Sequence, residues 1–227
     1  MASLTFEGMC RKLAGNENFS FSRWGDGEFA VALGDVGENC DGAKYYSDLG
    51  EALRLVLRSK PEYYLGMQPK GMRDMGDRIT KWLADEGLDF DWCNADIIHD
   101  ASIAGDLDLL SQSLKGRRVI CVMPQKLAKF AQYMRAPQIV VPPRIGWKYY
   151  RTNYADLCDE IEYIGDDAVV LYCAGMSSEV FIHHVWNDYG DKVTQIDLGS
   201  VLEPYVTGKP TRRYHVGILE RMKEEQA

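Results

Sequence analysis

The chain has no cysteine pair at C-x-x-C spacing and no Cys/His cluster at the spacing of a zinc site, although six cysteines stand at positions 10, 40, 93, 121, 158 and 173. Cys121 and Cys173 lie inside apolar runs, where a thiol acts as a small core hydrophobe. All six are expected to be reduced. No apolar run approaches the roughly 20 residues that cross a bilayer. The opening Met1-Ala2-Ser3-Leu4-Thr5-Phe6-Glu7 has neither a basic nor a continuous apolar stretch, so no signal peptide is expected and a cytoplasmic location is. There is no internal repeat and no low-complexity segment. There is also no G-x-G-x-x-G and no G-x-x-x-x-G-K-[ST], which counts against a dinucleotide site and a Walker-type NTPase. Positive charge is short as well. Against 34 acidic residues stand 26 basic ones, a net charge of -8 that disfavours default nucleic-acid binding.

What is present is an ordinary globular balance, 46% hydrophobic and 26% charged over 227 residues, which suits one domain spanning 1–227. Phe6, Met9, Cys10 and Leu13 repeat at helical spacing, and Gly15 closes that helix. Phe19 to Ser22 alternates as a strand does, and Trp24-Gly25-Asp26-Gly27-Glu28 breaks it. Ser47 or Asp48 caps a helix carrying Leu49, Leu53, Val56 and Leu57. Tyr63-Tyr64-Leu65 reads as a strand, and Ile79, Trp82 and Leu83 end a further helix.

Val119–Met123, Ile139–Val141, Ala168–Cys173 and Val193–Ile196 are short apolar runs separated by helical periodicity. That pattern predicts a Rossmann-like α/β fold, a mostly parallel sheet with helices on both faces. Ligands in such sheets sit beyond the carboxyl ends of the strands. Attention therefore falls on 23–28, 99–102, 124–126, 142–148, 174–178 and 197–203.

Asp26 and Glu28 place two hard oxygen ligands one residue apart, with Gly25 and Gly27 letting the backbone turn, a pattern suited to Mg²⁺ or Mn²⁺ shared with a diphosphate. It is also an everyday turn. Arg23 at the strand end can pair with phosphates or hold a carboxylate. Gly175, Met176, Ser177 and Ser178 follow the most apolar strand and open a helix, where a phosphate or ribose can be received, or Ser177 simply caps. Asp197 can bind a hydroxyl, act as a base or cap a turn. Trp147, Tyr149 and Tyr150 suit stacking or core packing. His183 and His184 read as packing. Lys126 belongs to a basic mid-chain set, with Lys115, Arg117, Arg118, Lys129, Arg135, Arg144, Lys148 and Arg151, that reads first as solvated surface.

The run Phe21-Ser22-Arg23-Trp24-Gly25-Asp26-Gly27-Glu28-Phe29 resembles the S-R-aromatic-G-D-G-E-aromatic signature of the GT-D-type glycosyltransferases. The likeness extends through Gly116–Met123, Ala168–Ser178 and Gln195–Gly199, and so covers nearly the whole chain. It implies a Rossmann-like fold and sugar transfer from a nucleotide-diphosphate donor, UDP-linked by expectation, with a divalent metal on Asp26 and Glu28. By position, Arg23, Gly25, Gly27, Lys126 and Gly175–Ser178 would bind the donor, and Asp197 would join Asp26 and Glu28 in catalysis. Asp100 and Glu203 are further candidates for the base. Relatives carry His where this chain has Ser200, so no role is carried over to that position. The acceptor stays open among glycan, glycoprotein, lipid-linked sugar and modified nucleic acid, as does self-association. Two rivals stand beside this reading: another Rossmann-like transferase, such as a methyltransferase, and a non-catalytic nucleotide- or glycan-binding module.

Overall fold

The computed structural model describes residues 3–224. In chain order it contains α1 (Phe6–Ala14), β1 (Ser20–Trp24), α2 (Asp26–Ala32), α3 (Ser47–Arg58), β2 (Tyr64–Met67), α4 (Pro69–Asp85), β3 (Cys93–Asn94), α5 (Ile97–Ala104), α6 (Asp108–Ser113) and β4 (Arg118–Met123). There follow α7 (Ala128–Met134), β5 (Gln138–Val140), α8 (Tyr150–Ile164), β6 (Ala168–Tyr172), α9 (Ser178–Tyr189), β7 (Thr194–Asp197), α10 (Glu203–Thr207) and α11 (His215–Glu224).

The strands form one seven-stranded sheet in the order β3-β2-β1-β7-β6-β4-β5, and every pairing is parallel. This is the expected Rossmann-like α/β architecture. Because successive strand residues point to opposite faces, each run feeds two cores. Ile120, Val122, Val170 and Tyr172 pack with Trp24, Phe29, Leu53 and Phe181 on one side. Val119, Cys121, Val169 and Leu171 pack with Phe6, Leu13, Ile98 and Leu127 on the other. Burial on both faces is why these strands are apolar throughout rather than alternating. All six cysteines are free thiols.

The connections decide where a ligand fits. From β1 the chain steps outward to β2 and β3, then crosses to β4 and β5 and returns through β6 to set β7 beside β1. The segments leaving β1 and β7 therefore run apart, and a crevice opens at their carboxyl ends. Among the described residues no helix is long and apolar enough to cross a membrane.

Three local readings change. Asp26, Gly27 and Glu28 are not a free turn but the first turn of α2, with extended Gly25 (φ -118°, ψ -168°) as its N-cap. Gly27 has no left-handed backbone, so its glycine is not there for a sharp bend. The helix at 47–58 is preceded by Tyr46, and neither Ser47 nor Asp48 caps it. Residues 99–102, expected as loop, lie within α5, because β3 is only two residues long and ends before Ala95.

Candidate functional site

A cavity of about 690 Å³ opens at that crevice, lined by the ends of β1, β6 and β7 and by the segments 39–46, 141–147 and 212–214. It gathers Arg23, Gly25, Asp26, Gly27, Glu28, Lys126, Gly175, Met176, Ser177 and Asp197. Ser178 is not among them. It is fully buried, and its Oγ accepts from the Ala174 amide at 3.3 Å, so it shapes the loop from behind.

Gly25 is small for a reason of approach. A Cβ there would lie 2.7 Å from Gln68 Oε1 and 3.1 Å from Glu28 Oε2. Glu28 Oε2 instead accepts from the Gly25 amide at 2.9 Å, the carboxylate half of a capping box. Burial, reinforced by the charge of Asp197, pushes the Glu28 carboxyl up to about 7. Asp26 is half-exposed. Its Oδ1 accepts from the Gly27 amide at 3.0 Å, and its Oδ2 pairs with Lys70 at 2.7 Å. Lys70 also pairs with Asp74 at 2.6 Å.

Asp197 is buried, and its Oδ1 accepts from the Gly199 amide at 3.0 Å. Burial raises its carboxyl, and Arg23 opposes that rise. Behind both lies Glu179, 1% exposed, whose two carboxylate oxygens have no side-chain hydrogen-bond partner among the described residues. Burial first, then the charges of Glu28 and Asp197, push it well above the usual carboxylate range. Arg23 is the buried cation facing this acidic group. Its Nε donates to the Ala95 carbonyl at 2.7 Å, and a terminal nitrogen lies 3.4 Å from Asp96 Oδ1. Lys126 pairs with Glu203 at 2.5 Å.

The other candidates divide. Trp147 lines the cavity, whereas Tyr149 is exposed away from it and Tyr150 is core, its hydroxyl 2.6 Å from His184 Nδ1. His183 sits 3.1 Å from Asn187 Nδ2, as packing requires. Asp100 does not line the cavity, and Glu203 does. The basic mid-chain set is not one patch. Arg117 and Arg118 stand at the amino end of β4, bonded to Leu13 and Asp166 carbonyls, while Lys126 and Arg144 stand at the cavity, beyond the carboxyl end of that strand. Sequence reasoning missed Gln68, Lys70 and the 39–46 and 212–214 segments, and within 99–102 it named Asp100, whereas His99 is the residue that lines the cavity. The run Arg212-Arg213-Tyr214, two guanidiniums beside an aromatic after a Gly-Lys-Pro turn, was the one legible signal among them.

The cavity concentrates cations against the net charge of the whole chain. Arg23, Lys44, Lys70, Lys126, Arg144, Arg212 and Arg213 line it with Asp26, Glu28, Asp41, Asp197 and Glu203. Such a mixture suits an anionic ligand held beside carboxylates. Among the described residues no three His, Cys, Asp or Glu side chains are gathered to hold a metal alone. Asp26 and Glu28 both line the cavity, and their carboxylates are the hard oxygen donors that Mg²⁺ or Mn²⁺ combines with substrate phosphates and water.

No family model and no curated protein matches the chain. Two solved structures do, both of domain of unknown function 1792. One is its selenomethionine-substituted form, and the other is described as having a distinct glycosyltransferase fold. Each is 16% identical with a TM-score of 0.65, over 91% of this chain and 82% of the other. At that identity the likeness is one of fold, and the fold of this chain is of the kind described there as a distinct glycosyltransferase fold.

Proposed function

We propose that the chain is a cytoplasmic glycosyltransferase that moves a sugar from a nucleotide-diphosphate donor, UDP-linked by preference, to an acceptor hydroxyl. The observation that carries this reading is the cavity at the carboxyl ends of β1 and β7, where Asp26 and Glu28 stand among seven basic side chains. The glycosyltransferase fold described for one of the two solved structures supports it.

In this reading Asp26 and Glu28 would hold a divalent ion, which when bound supplies neutralisation of the diphosphate leaving group. Lys70 already neutralises Asp26 and would turn to the phosphates as the ligand enters. The exposed Gly175 and the turn 175–177 offer backbone to the donor at the mouth of α9. Trp147 offers a ring face to the base or sugar. Asp197 is the candidate base. Its raised proton affinity matches the task of taking a hydroxyl proton, and Arg23 steadies the carboxylate before transfer.

The test is a thermal-shift and calorimetric panel of UDP- and GDP-sugars, with and without Mn²⁺, against S-adenosylmethionine. Donor binding that needs the ion, followed by acceptor-dependent release of the nucleoside diphosphate, is expected. Stabilisation by S-adenosylmethionine alone would assign a methyltransferase. Binding with no turnover on any glycan, lipid-linked or nucleic-acid acceptor would assign a non-catalytic module.

A further inference from the structure

His99 of α5 is buried between Arg23 and Tyr214, and the three side chains carry a directional hydrogen-bond pattern. An Arg23 terminal nitrogen lies 3.1 Å from His99 Nδ1. A guanidinium can only donate, so Nδ1 must present its lone pair. Asp96 Oδ1 lies farther, 3.5 Å from Nδ1, and would need a hydrogen that the closer Arg23 contact forbids. Burial and the Arg23 charge push the imidazole down to about 4, so it is neutral and its one hydrogen is on Nε2. That atom is 3.2 Å from the Tyr214 hydroxyl, to which it donates. The Tyr214 ring is stacked on the imidazole at 4.7 Å and 27°.

Tyr214 Oη is in turn 2.8 Å from Ser200 Oγ. Two hydroxyls sharing one hydrogen bond use one of their two hydrogens. The Tyr214 oxygen is already an acceptor from His99, and its phenol keeps its proton because burial raises it to about 12. One O–H hydrogen is therefore left over. It has no acceptor among the described residues, and both side chains line the cavity.

We propose that the Tyr214–Ser200 hydroxyl pair donates that hydrogen to a non-bridging phosphate oxygen of the bound donor, aimed by the Arg23–His99 pair behind it. The assignment rests on the sugar-transfer reading above. A phosphate oxygen has lone pairs and no hydrogen, the complement of a spare donor. A chain that ends on a buried guanidinium is polarised toward an anion rather than a neutral hydroxyl. Gly199 keeps the parts in register. It is left-handed at φ +59°, and a Cβ there would collide with the Arg23 guanidinium. Tyr214 itself is brought to the wall by a segment that Arg212 ties to Asp41.

The experiment is calorimetric titration of the full chain with UDP, GDP and uridine, for wild type, Tyr214→Phe, Ser200→Ala and the double variant. Tyr214→Phe keeps the stacked ring, and melting curves verify the fold. Either hydroxyl alone keeps one hydrogen, so each single variant should weaken the diphosphates only a few-fold. The double variant, which removes every such hydrogen, should weaken them roughly 10-fold or more and leave uridine unchanged. A double variant that binds the diphosphates as the wild type does, or an equal loss for uridine, would overturn the assignment. Nitrogen NMR of His99 reads the chain without any ligand. Protonation at Nε2 is expected, and protonation at Nδ1 would break the argument at its first step. Failure of the wild type to bind any nucleoside diphosphate would sink both the sugar-transfer reading and the phosphate assignment, while the NMR result would still decide the Arg23–His99–Tyr214 order.

Discussion

Glu28→Gln separates the two jobs that the geometry gives this carboxyl. As a cap, it accepts from the Gly25 amide, and a glutamine can do the same. As a charge, it is held in a place that resists ionisation, raised from 4.5 to about 7 by burial first. A carboxyl raised on folding binds more protons in the folded state between those two values. Its contribution to stability is therefore present at low pH and lost as pH climbs from 4.5 through about 7. The full rise corresponds to about 3 kcal/mol at about 1.4 kcal/mol per tenfold change in proton affinity. Solvent reaching a side chain at a cavity wall reduces this to about 1–2 kcal/mol. In metal-free urea denaturation, wild type and Glu28→Gln should match near pH 5, and the variant should be the more stable by that amount at pH 8. Glu179, pushed up by burial and then by the Glu28 charge, is raised less in the variant and adds to the difference in the same direction, while groups distant from Glu28 subtract. Mn²⁺ with a nucleoside diphosphate should stabilise the wild type at pH 8 and the variant far less. A difference that does not vary with pH, or a variant less stable at pH 8, would refute the buried-charge account of Glu28.

Asp26→Ala should cost under about 1 kcal/mol, since its pair with Lys70 is half-exposed and Lys70 keeps Asp74, while turnover in the sugar-transfer assay falls about 100-fold. Equal activity would remove Asp26 from the site. Gly199→Ala meets both a left-handed backbone and the Arg23 guanidinium, so urea midpoints should report a loss of about 2–3 kcal/mol, against about 1 kcal/mol for Gly175→Ala, where the added Cβ meets only open space. Gln195→Leu strips partners from the buried Tyr172 hydroxyl, Ser20 and the Ile182 carbonyl, and should cost about 2–4 kcal/mol with the cavity chemistry intact.

The parallel sheet was legible because its cause is local. Val119–Met123 and Ala168–Cys173 are apolar on both faces, and only strands covered on two sides need that composition. The helix of Phe6, Met9, Cys10 and Leu13 declared itself by spacing, and all four are buried in α1. Asp26, Glu28, Lys126, Gly175 and Asp197 could be placed in one cleft because carboxyl-end loops converge in such sheets whatever their sequence. Beyond that, the chain order of the residues carries no distances. That Asp26-Gly27-Glu28 opens a helix depends on Glu28 reaching back to Gly25 while Gln68, 43 residues on, leaves no room for a side chain at Gly25. That Ser178 faces inward follows from its bond to Ala174, invisible in a serine pair. His99 and Tyr214 are 115 residues apart and carry no common motif. They meet because α5 and the segment before α11 pack on the same edge of the cavity, and only that packing gives a neutral imidazole a cation on one nitrogen and a phenol on the other.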